Sequence, residues 1–304
     1  MTSSTGLLTE RICVITGATS GIGAVTAREL ARLGATVIVV GRHAERCARQ
    51  VARIESEIPG ARAQALVADL SSQAEIRRLA RSLAGHYGRL DVLVNNAGAF
   101  LRGRRQVSVD GVEMTFALNH LSYFMLTLLV MELLTRSPSA RVVNVSSVAH
   151  ERQRLDLEDP QERKSYDGFR AYGRSKLANL LFTYELARRL AGTRVTANAL
   201  HPGAVASNLG GNNGWINGWL RAKVRNVKNL MNGRMVTPER GARTSIYLAS
   251  SPEVEGVSGR YFQDCRELRS SQASYDEATA RSLWRISEDL TGVRWDRQFD
   301  TRSA

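Results

Sequence analysis

Arg11-Ile12-Cys13-Val14-Ile15-Thr16-Gly17-Ala18-Thr19-Ser20-Gly21-Ile22-Gly23 is the stretch whose reading decides the fold. Its first six residues are a short apolar run of strand length. Three spaced glycines follow at once, then a helical pattern over 24–33 that stops at Gly34. A strand, a glycine turn and a helix let the backbone approach a pyrophosphate and rest its charge on a helix N-terminus. The spacing is Gly-x-x-x-Gly-x-Gly, not Gly-x-Gly-x-x-Gly, so the flanking strand and helix carry much of the signal.

The same alternation continues outward. Strands are expected at 36–40, 63–68, 90–94, 141–145, 195–200 and 258–263. The strand at 36–40 is nearly continuous in β-branched residues, as a strand covered on both faces is. Helices are expected at 44–58, from the Ser71 cap to 87, at 112–135, from Tyr172 to 191, from the Thr237-Pro238 start to about 251, and at 274–290. Residues 149–170 read as a long charged loop. The implied fold class is α/β: a Rossmann-type doubly wound parallel sheet of about seven strands with helices on both faces, in a single domain over 1–304. Ligands of such a sheet bind beyond the carboxyl ends of its strands, the edge that Gly17, Arg42, Asp69 and Asn96 share.

At the end of the second strand an NAD enzyme usually places an acid for the ribose hydroxyls. Gly41-Arg42-His43 stands there instead. A missing acid with a nearby arginine suits a 2′-phosphate, so Arg42 is assigned to NADP(H), with NAD(H) as the alternative, and His43 is assigned no role.

Composition narrows the class further. The 304 residues carry a formal charge of +13, but the basic residues are scattered, without one dense tract. They read as solvated arginine-rich helices, with no specific nucleic-acid partner expected. No apolar run is long enough to span a membrane, and the N-terminus has no basic start followed by an apolar stretch. Cys13, Cys47 and Cys265 lie far apart with no metal spacing. Sparse free thiols fit a reducing compartment, and a cytoplasmic location is expected.

Ala171-Tyr172-Gly173-Arg174-Ser175-Lys176 is the chemical candidate. Tyrosine and lysine four apart share one helix face. An ammonium beside a phenol favours the phenolate, so Lys176 is expected to lower the Tyr172 pKa. Only Lys164, Lys176, Lys223 and Lys228 among the 42 basic residues are lysines. A lysine here is therefore a chemical choice, because arginine cannot release its proton.

With these pieces in place, the chain resembles the short-chain dehydrogenase/reductases, in their single-domain branch. The resemblance rests on residues 16–23, Asp69-Leu70, Asn95-Asn96-Ala97-Gly98, Asn119, Ser147, Tyr172-x-x-x-Lys176 and Pro202-Gly203, in the family order, and covers roughly residues 10–290. Within the family it is similar to the retinol-dehydrogenase-like group. Asn119-His120-Leu121, the run from Asn144 through Ser146-Ser147 to His150, His201-Pro202-Gly203 and Gly259-Arg260-Tyr261-Phe262 carry that likeness.

The resemblance implies an oxidoreductase interconverting an aldehyde or ketone and its alcohol, on an apolar small molecule. Two alternatives are an inactive cofactor-binding module and a retinoid- or steroid-type alcohol dehydrogenase using NAD. Tyr172 is implied as the proton donor and Ser147 as the hydrogen-bond donor to the same oxygen, with Ser146 the competing serine. Lys176 would bind the nicotinamide ribose, and Asn119 would help hold a water beside it. The implied cofactor contacts are Gly17, Thr19, Ser20, Gly21, Ile22, Gly23, Arg42, Asp69, Leu70, Asn96, Ala97, Gly98, Tyr172, Lys176, Pro202, Gly203 and Val205. A homodimer is expected through the helices carrying Asn119 and Tyr172. A glycine- and tryptophan-bearing lid is expected over 204–236, closing on the substrate.

Overall fold

The computed structural model describes residues 6–203 and 236–296. β1 (Ile12–Thr16) and β2 (Thr36–Gly41) are buried almost throughout. Alternation sends their side chains to opposite faces of the sheet. Val14, Ile38 and Val40 join one core cluster, while Cys13, Ile15, Val37 and Val39 join another. Both faces therefore need helices. α1 (Gly21–Arg32) and α2 (Ala44–Glu57) cover the second face, and α3 (Gln73–His86) covers the first.

β3 (Arg62–Val67), β4 (Val92–Asn95), β5 (Ala140–Val145), β6 (Val195–Leu200), β7 (Tyr261–Gln263) and β8 (Arg266–Leu268) complete the sheet. Its order is β3-β2-β1-β4-β5-β6-β7-β8. All pairs are parallel except β7 with β8. The antiparallel edge strand is one more than the sequence pattern showed. It is three residues long and exposed throughout, so it leaves no periodic signal. The order reverses between β1 and β4, which opens a crevice at their carboxyl ends.

Asp91 secures the opposite end. Its carboxylate accepts hydrogen bonds from the Ile12 N–H (2.8 Å), Arg11 (3.0 Å) and the Ser137 hydroxyl (2.6 Å). Burial alone would raise its pKa, but these donors outweigh burial and hold it below the usual value.

The helix expected over 112–135 is made in pieces. A short turn, α4 (Met114–Phe116), runs into a π turn at Ala117–Leu121, then α5 (Ser122–Leu129) and α6 (Met131–Thr135). In the π turn the Ser122 N–H bonds the Ala117 carbonyl, and the Ser122 hydroxyl bonds that of Leu118 at 2.6 Å. An uninterrupted apolar pattern conceals such a register shift, because the hydrogen bonds rather than the side chains change.

α7 (Gly168–Arg189) is started by Asp167, whose carboxylate accepts the Arg170 N–H at 2.8 Å. α8 (Pro238–Ser250) packs on α1 through Ala242 against Ile22 and Val25. α9 (Glu277–Thr291) lies across α7 and the π turn. Trp284 of α9 meets Phe124 edge-on at 5.1 Å and lies 5.7 Å from Phe182, with the Arg189 guanidinium 4.1 Å over its ring. Leu283 and Ala280 pack with Leu121, Leu177 and Leu181.

This packing bears directly on assembly. On the helices expected to meet a second copy, Leu121, Leu177 and Leu181 are covered by the chain's own α9, and Leu180 and Tyr184 pack with Ala199 and Tyr261. Those side chains are therefore not open to a second copy. Light scattering at tens of micromolar, where weak contacts still form, should therefore give a monomer. A dimer at that concentration would contradict the assignment of α9 as the permanent cover of this face. Among the described residues, no helix is long and apolar enough to cross a membrane.

Candidate active site

Two loops at the crevice are stitched together by Thr16 and Asn96. The Thr16 hydroxyl accepts the N–H groups of Asn96 (2.9 Å) and Ala97 (3.0 Å). The Asn96 amide donates to the Thr16 carbonyl at 2.8 Å. Nothing in a strand's last residue announces in the sequence that Thr16 organises the neighbouring loop.

The glycine turn follows. Gly17 has φ +65°, and a methyl group on Gly23 would lie 2.5 Å from both the Gly17 carbonyl oxygen and the Asn96 amide nitrogen. The α1 helix therefore begins at Gly21, three residues earlier than the side-chain pattern indicates. Its N-cap, Ser20, makes no side-chain cap, and its first turn holds no acid. α3, α7, α8 and α9 are all capped by a side chain, from Ser72, Asp167, Thr237 and Asp276. The uncapped N–H groups, the positive helix end and the absence of an acid in the first turn suit an anion at the start of α1. These residues fit a dinucleotide pyrophosphate: the cradle has no space for a Cβ, and the donors carry no competing cap.

Thr19, within the turn, packs on the end of β2. A methyl group on Gly41 would sit 2.7 Å from the Thr19 methyl. The next residue, Arg42, is exposed, and its Nε donates to His43 Nε2 at 3.2 Å. His43, given no role from sequence, thus contacts the candidate phosphate-binding side chain. At the end of β3, Asp69 accepts the N–H and hydroxyl of Ser71 (2.9 and 2.7 Å), and Leu70 is buried. Gly203 has φ +77°, and its N–H donates to His201 Nδ1 at 3.2 Å, in the turn that contains Pro202. Val205 and the lid expected over 204–236 lie outside the described residues, apart from Val236 at its end.

The chemical group is assembled from β5, the π turn and α7. Lys176 is buried, and its Nζ donates to the Val145 carbonyl at 3.0 Å, 5.8 Å from the Tyr172 ring centre. Asn119 is held from three directions. Its Oδ1 accepts the Ala99 N–H (2.8 Å), and its Nδ2 donates to the Ala99 carbonyl and the Ser175 hydroxyl (both 3.0 Å). With both amide hydrogens used, its side chain is committed to locking the β4 loop onto α7. Water beside Lys176 would have to be held by other Asn119 atoms. Gly98 fits between the two: a methyl there would be 3.2 Å from Asn119 Oδ1 and 3.5 Å from Lys176 Nζ.

The two serines differ in what they touch. Ser146 is buried and donates to the Lys176 carbonyl at 2.8 Å, tying β5 to α7. Ser147 is half-buried and accepts the Ala149 N–H at 3.2 Å, and its hydroxyl is near enough to the Tyr172 phenol to act on its pKa.

The electrostatics differ from the sequence expectation. Burial raises the Tyr172 phenol above its ordinary value, with the Ser147 hydroxyl opposing it. Burial also lowers Lys176 to about 7. Lys176 was expected to depress the tyrosine. Instead, burial from water acts against the charged form of each group. Tyr172 therefore holds its proton through neutral pH.

Residues 11–214 match the short chain dehydrogenase family. The chain belongs to that family. A murine relative, Retinol dehydrogenase 14, is 44% identical over 299 residues, covering 95% of this chain and 88% of its own length. The solved structure of an uncharacterised protein from Mycobacterium paratuberculosis superposes with TM-score 0.76 at 33% identity, covering 97% of this chain and 98% of that one. The Pseudomonas aeruginosa RhlG/NADP active-site complex gives TM-score 0.66 at 33% identity, over 84% of this chain and 94% of that one.

The short-chain dehydrogenase is thus an oxidoreductase of the retinol-dehydrogenase-like group, with the nicotinamide-cofactor binding of its family. Beside Tyr172 stand aromatic residues to which the sequence reading gives no individual role. The Phe100 ring lies 5.2 Å from that of Tyr172 and 4.8 Å from that of Phe169, and Arg102 covers both phenylalanines at 4.9 and 5.4 Å. Phe169 is 60% exposed. An aromatic pair outside the core has no periodicity to reveal it.

Proposed function

We propose that this short-chain dehydrogenase interconverts an apolar aldehyde or ketone and its alcohol with NADP(H). The observation that carries the reading is Tyr172 one turn from the buried Lys176 on α7, with the Lys176 Nζ 5.8 Å from the Tyr172 ring centre. When bound, the nicotinamide supplies or accepts the hydride. The protein does the rest. Tyr172, protonated at neutral pH, donates its proton to the carbonyl oxygen in reduction and takes it back in oxidation. Ser147 donates a hydrogen bond to the same oxygen as negative charge develops there. Lys176 serves the ribose hydroxyls. Its ammonium form, favoured below a pKa of about 7, stabilises the phenolate left after transfer. Asn119 fixes the β4 loop against α7.

The aromatic mouth favours an apolar substrate body. The murine relative named for retinol dehydrogenation supports an apolar alcohol as the substrate class. Arg42, exposed beyond β2 with no acid replacing it, is the group for a 2′-phosphate.

The test is a paired titration of NADPH and NADH, followed by turnover of apolar aldehydes with each. NADPH should bind more tightly, and Arg42→Ala should remove about 1.5–3 kcal/mol of that preference, the usual worth of a hydrogen bond to a charged group. Equal affinity for both cofactors in the unmodified chain would reject the NADP(H) assignment and leave the NAD(H) alternative.

A further inference from the structure

We propose that His150 is a positioning residue for Ser147, anchoring the serine turn to the segment after β8. Ser147 has extended backbone (φ −159°, ψ 151°) and heads a short 3-10 turn, Val148–His150. The His150 ring folds back over that turn. Its Nδ1 lies 2.7 Å from the Ser147 carbonyl oxygen, and its Nε2 lies 3.1 Å from the Ser271 backbone nitrogen. A backbone N–H can only donate, so Nε2 must be the bare nitrogen. The ring proton then sits on Nδ1 and is donated to the Ser147 carbonyl.

One neutral tautomer thus joins two segments 121 positions apart. The ring is fully buried and meets Tyr261 edge-on at 5.3 Å. The Ser147 carbonyl thus accepts both the ring and, at 3.2 Å, the backbone N–H of His150, which restrains the 147 peptide and with it the Ser147 side chain. His150 contacts neither Tyr172 nor the glycine turn by any hydrogen bond in the structure, so its effect must pass through Ser147.

Acid breaks this anchor. A protonated ring would turn an Nε2–H against the Ser271 N–H. The groups facing His150 are Glu151 on its own turn, Tyr261 on β7, and His201 beyond β6. Burial lowers the His150 pKa below the ordinary 6.5, with Glu151 opposing. The neutral anchoring form is therefore present above that pKa and is lost as pH falls through it.

The inference rests on Ser147 serving the substrate oxygen, and its experiment separates the two claims. Four proteins are compared in the reduction direction: unmodified, Ser147→Ala, His150→Asn and His150→Phe. Asparagine can place a donor where Nδ1 stood, whereas phenylalanine keeps the Tyr261 contact but loses both hydrogen bonds. His150→Phe should lower kcat about tenfold or more, the worth of about one hydrogen bond, with the cofactor Kd unchanged. His150→Asn, which like the protonated ring keeps the Ser147 bond and loses the Ser271 bond, should fall to the kcat that the unmodified protein shows at the foot of its acid limb, above that of His150→Phe, and lack that limb.

Ser147→Ala with full turnover would reject the serine's role itself. An inactive Ser147→Ala beside a fully active His150→Phe would reject only the anchor. Equal losses in the Asn and Phe variants would reduce His150 to a packing residue and overturn the proposal. If the variants do not fold, the unmodified protein still decides. The Ser271 amide should be protected from hydrogen exchange at neutral pH and lose protection along the acid limb of kcat. Protection unaffected by acid would overturn the anchor.

Discussion

Tyr172→Phe lowers turnover by at least about 100-fold, the usual scale of a general acid–base contribution, while leaving cofactor binding within a few-fold. The substitution removes one oxygen and keeps the ring, so the contact with Phe100 at 5.2 Å survives. Lys176 stays bonded to Val145, and Asn119 stays bonded to Ala99 and Ser175, because none of these contacts uses the phenol. The fold and the cofactor cradle are therefore preserved, and what is lost is the proton. Ser147 cannot substitute, since a serine hydroxyl does not ionise near neutral pH. Turnover measured beside a cofactor titration checks this. A variant retaining near-full turnover would remove Tyr172 from the reaction.

Gly23→Ala should weaken dinucleotide binding at least about 100-fold, the loss of two charge-assisted hydrogen bonds from the turn. The added methyl would stand 2.5 Å from the Gly17 carbonyl oxygen. Gly17 cannot retreat freely: its own missing Cβ would already lie 2.8 Å from the Ala97 Cα. The glycine turn must shift, and its N–H groups lose their common direction. Overpacking of this kind costs about 1–3 kcal/mol, so a lowered Tm accompanies the binding loss. Gly85→Ala is the control. It lies in α3 with nothing within 4 Å of its Cβ position, and alanine there favours the helix by about 0.5–1 kcal/mol. Undiminished cofactor affinity in Gly23→Ala, measured by calorimetry, would contradict the cradle.

The parts of the molecule that were legible in sequence are those whose signal is local. β1 declares itself as a short apolar run and β2 by its run of β-branched residues, and the glycine turn by its position between strand and helix. Tyr172 and Lys176 are visible because helical spacing alone places them on one face. What was hidden depends on contacts distant in sequence. The stripe through Leu177 and Leu181 looks the same whether a second copy covers it or α9 does, and only the fold shows Leu283 seated on it. The π turn at Ala117–Leu121 leaves the apolar pattern unchanged while it alters the backbone around Asn119. The pKa values of Tyr172 and Lys176 follow from burial, which spacing does not report. His150 gives no sign in the sequence that its partner lies at Ser271.

The central claim is that this chain transfers a hydride between NADP(H) and a carbonyl carbon while Tyr172 supplies the proton. The most direct measurement uses NADPH carrying deuterium at the transferable position, an apolar aldehyde, and mass spectrometry of the alcohol formed. The account predicts one deuterium on the former carbonyl carbon, stoichiometric with loss of nicotinamide absorbance, and no labelled alcohol from Tyr172→Phe above a residue of about one hundredth. Bound NADPH that delivers no label to any of a panel of aldehydes and ketones would contradict it and make the chain a cofactor-binding module.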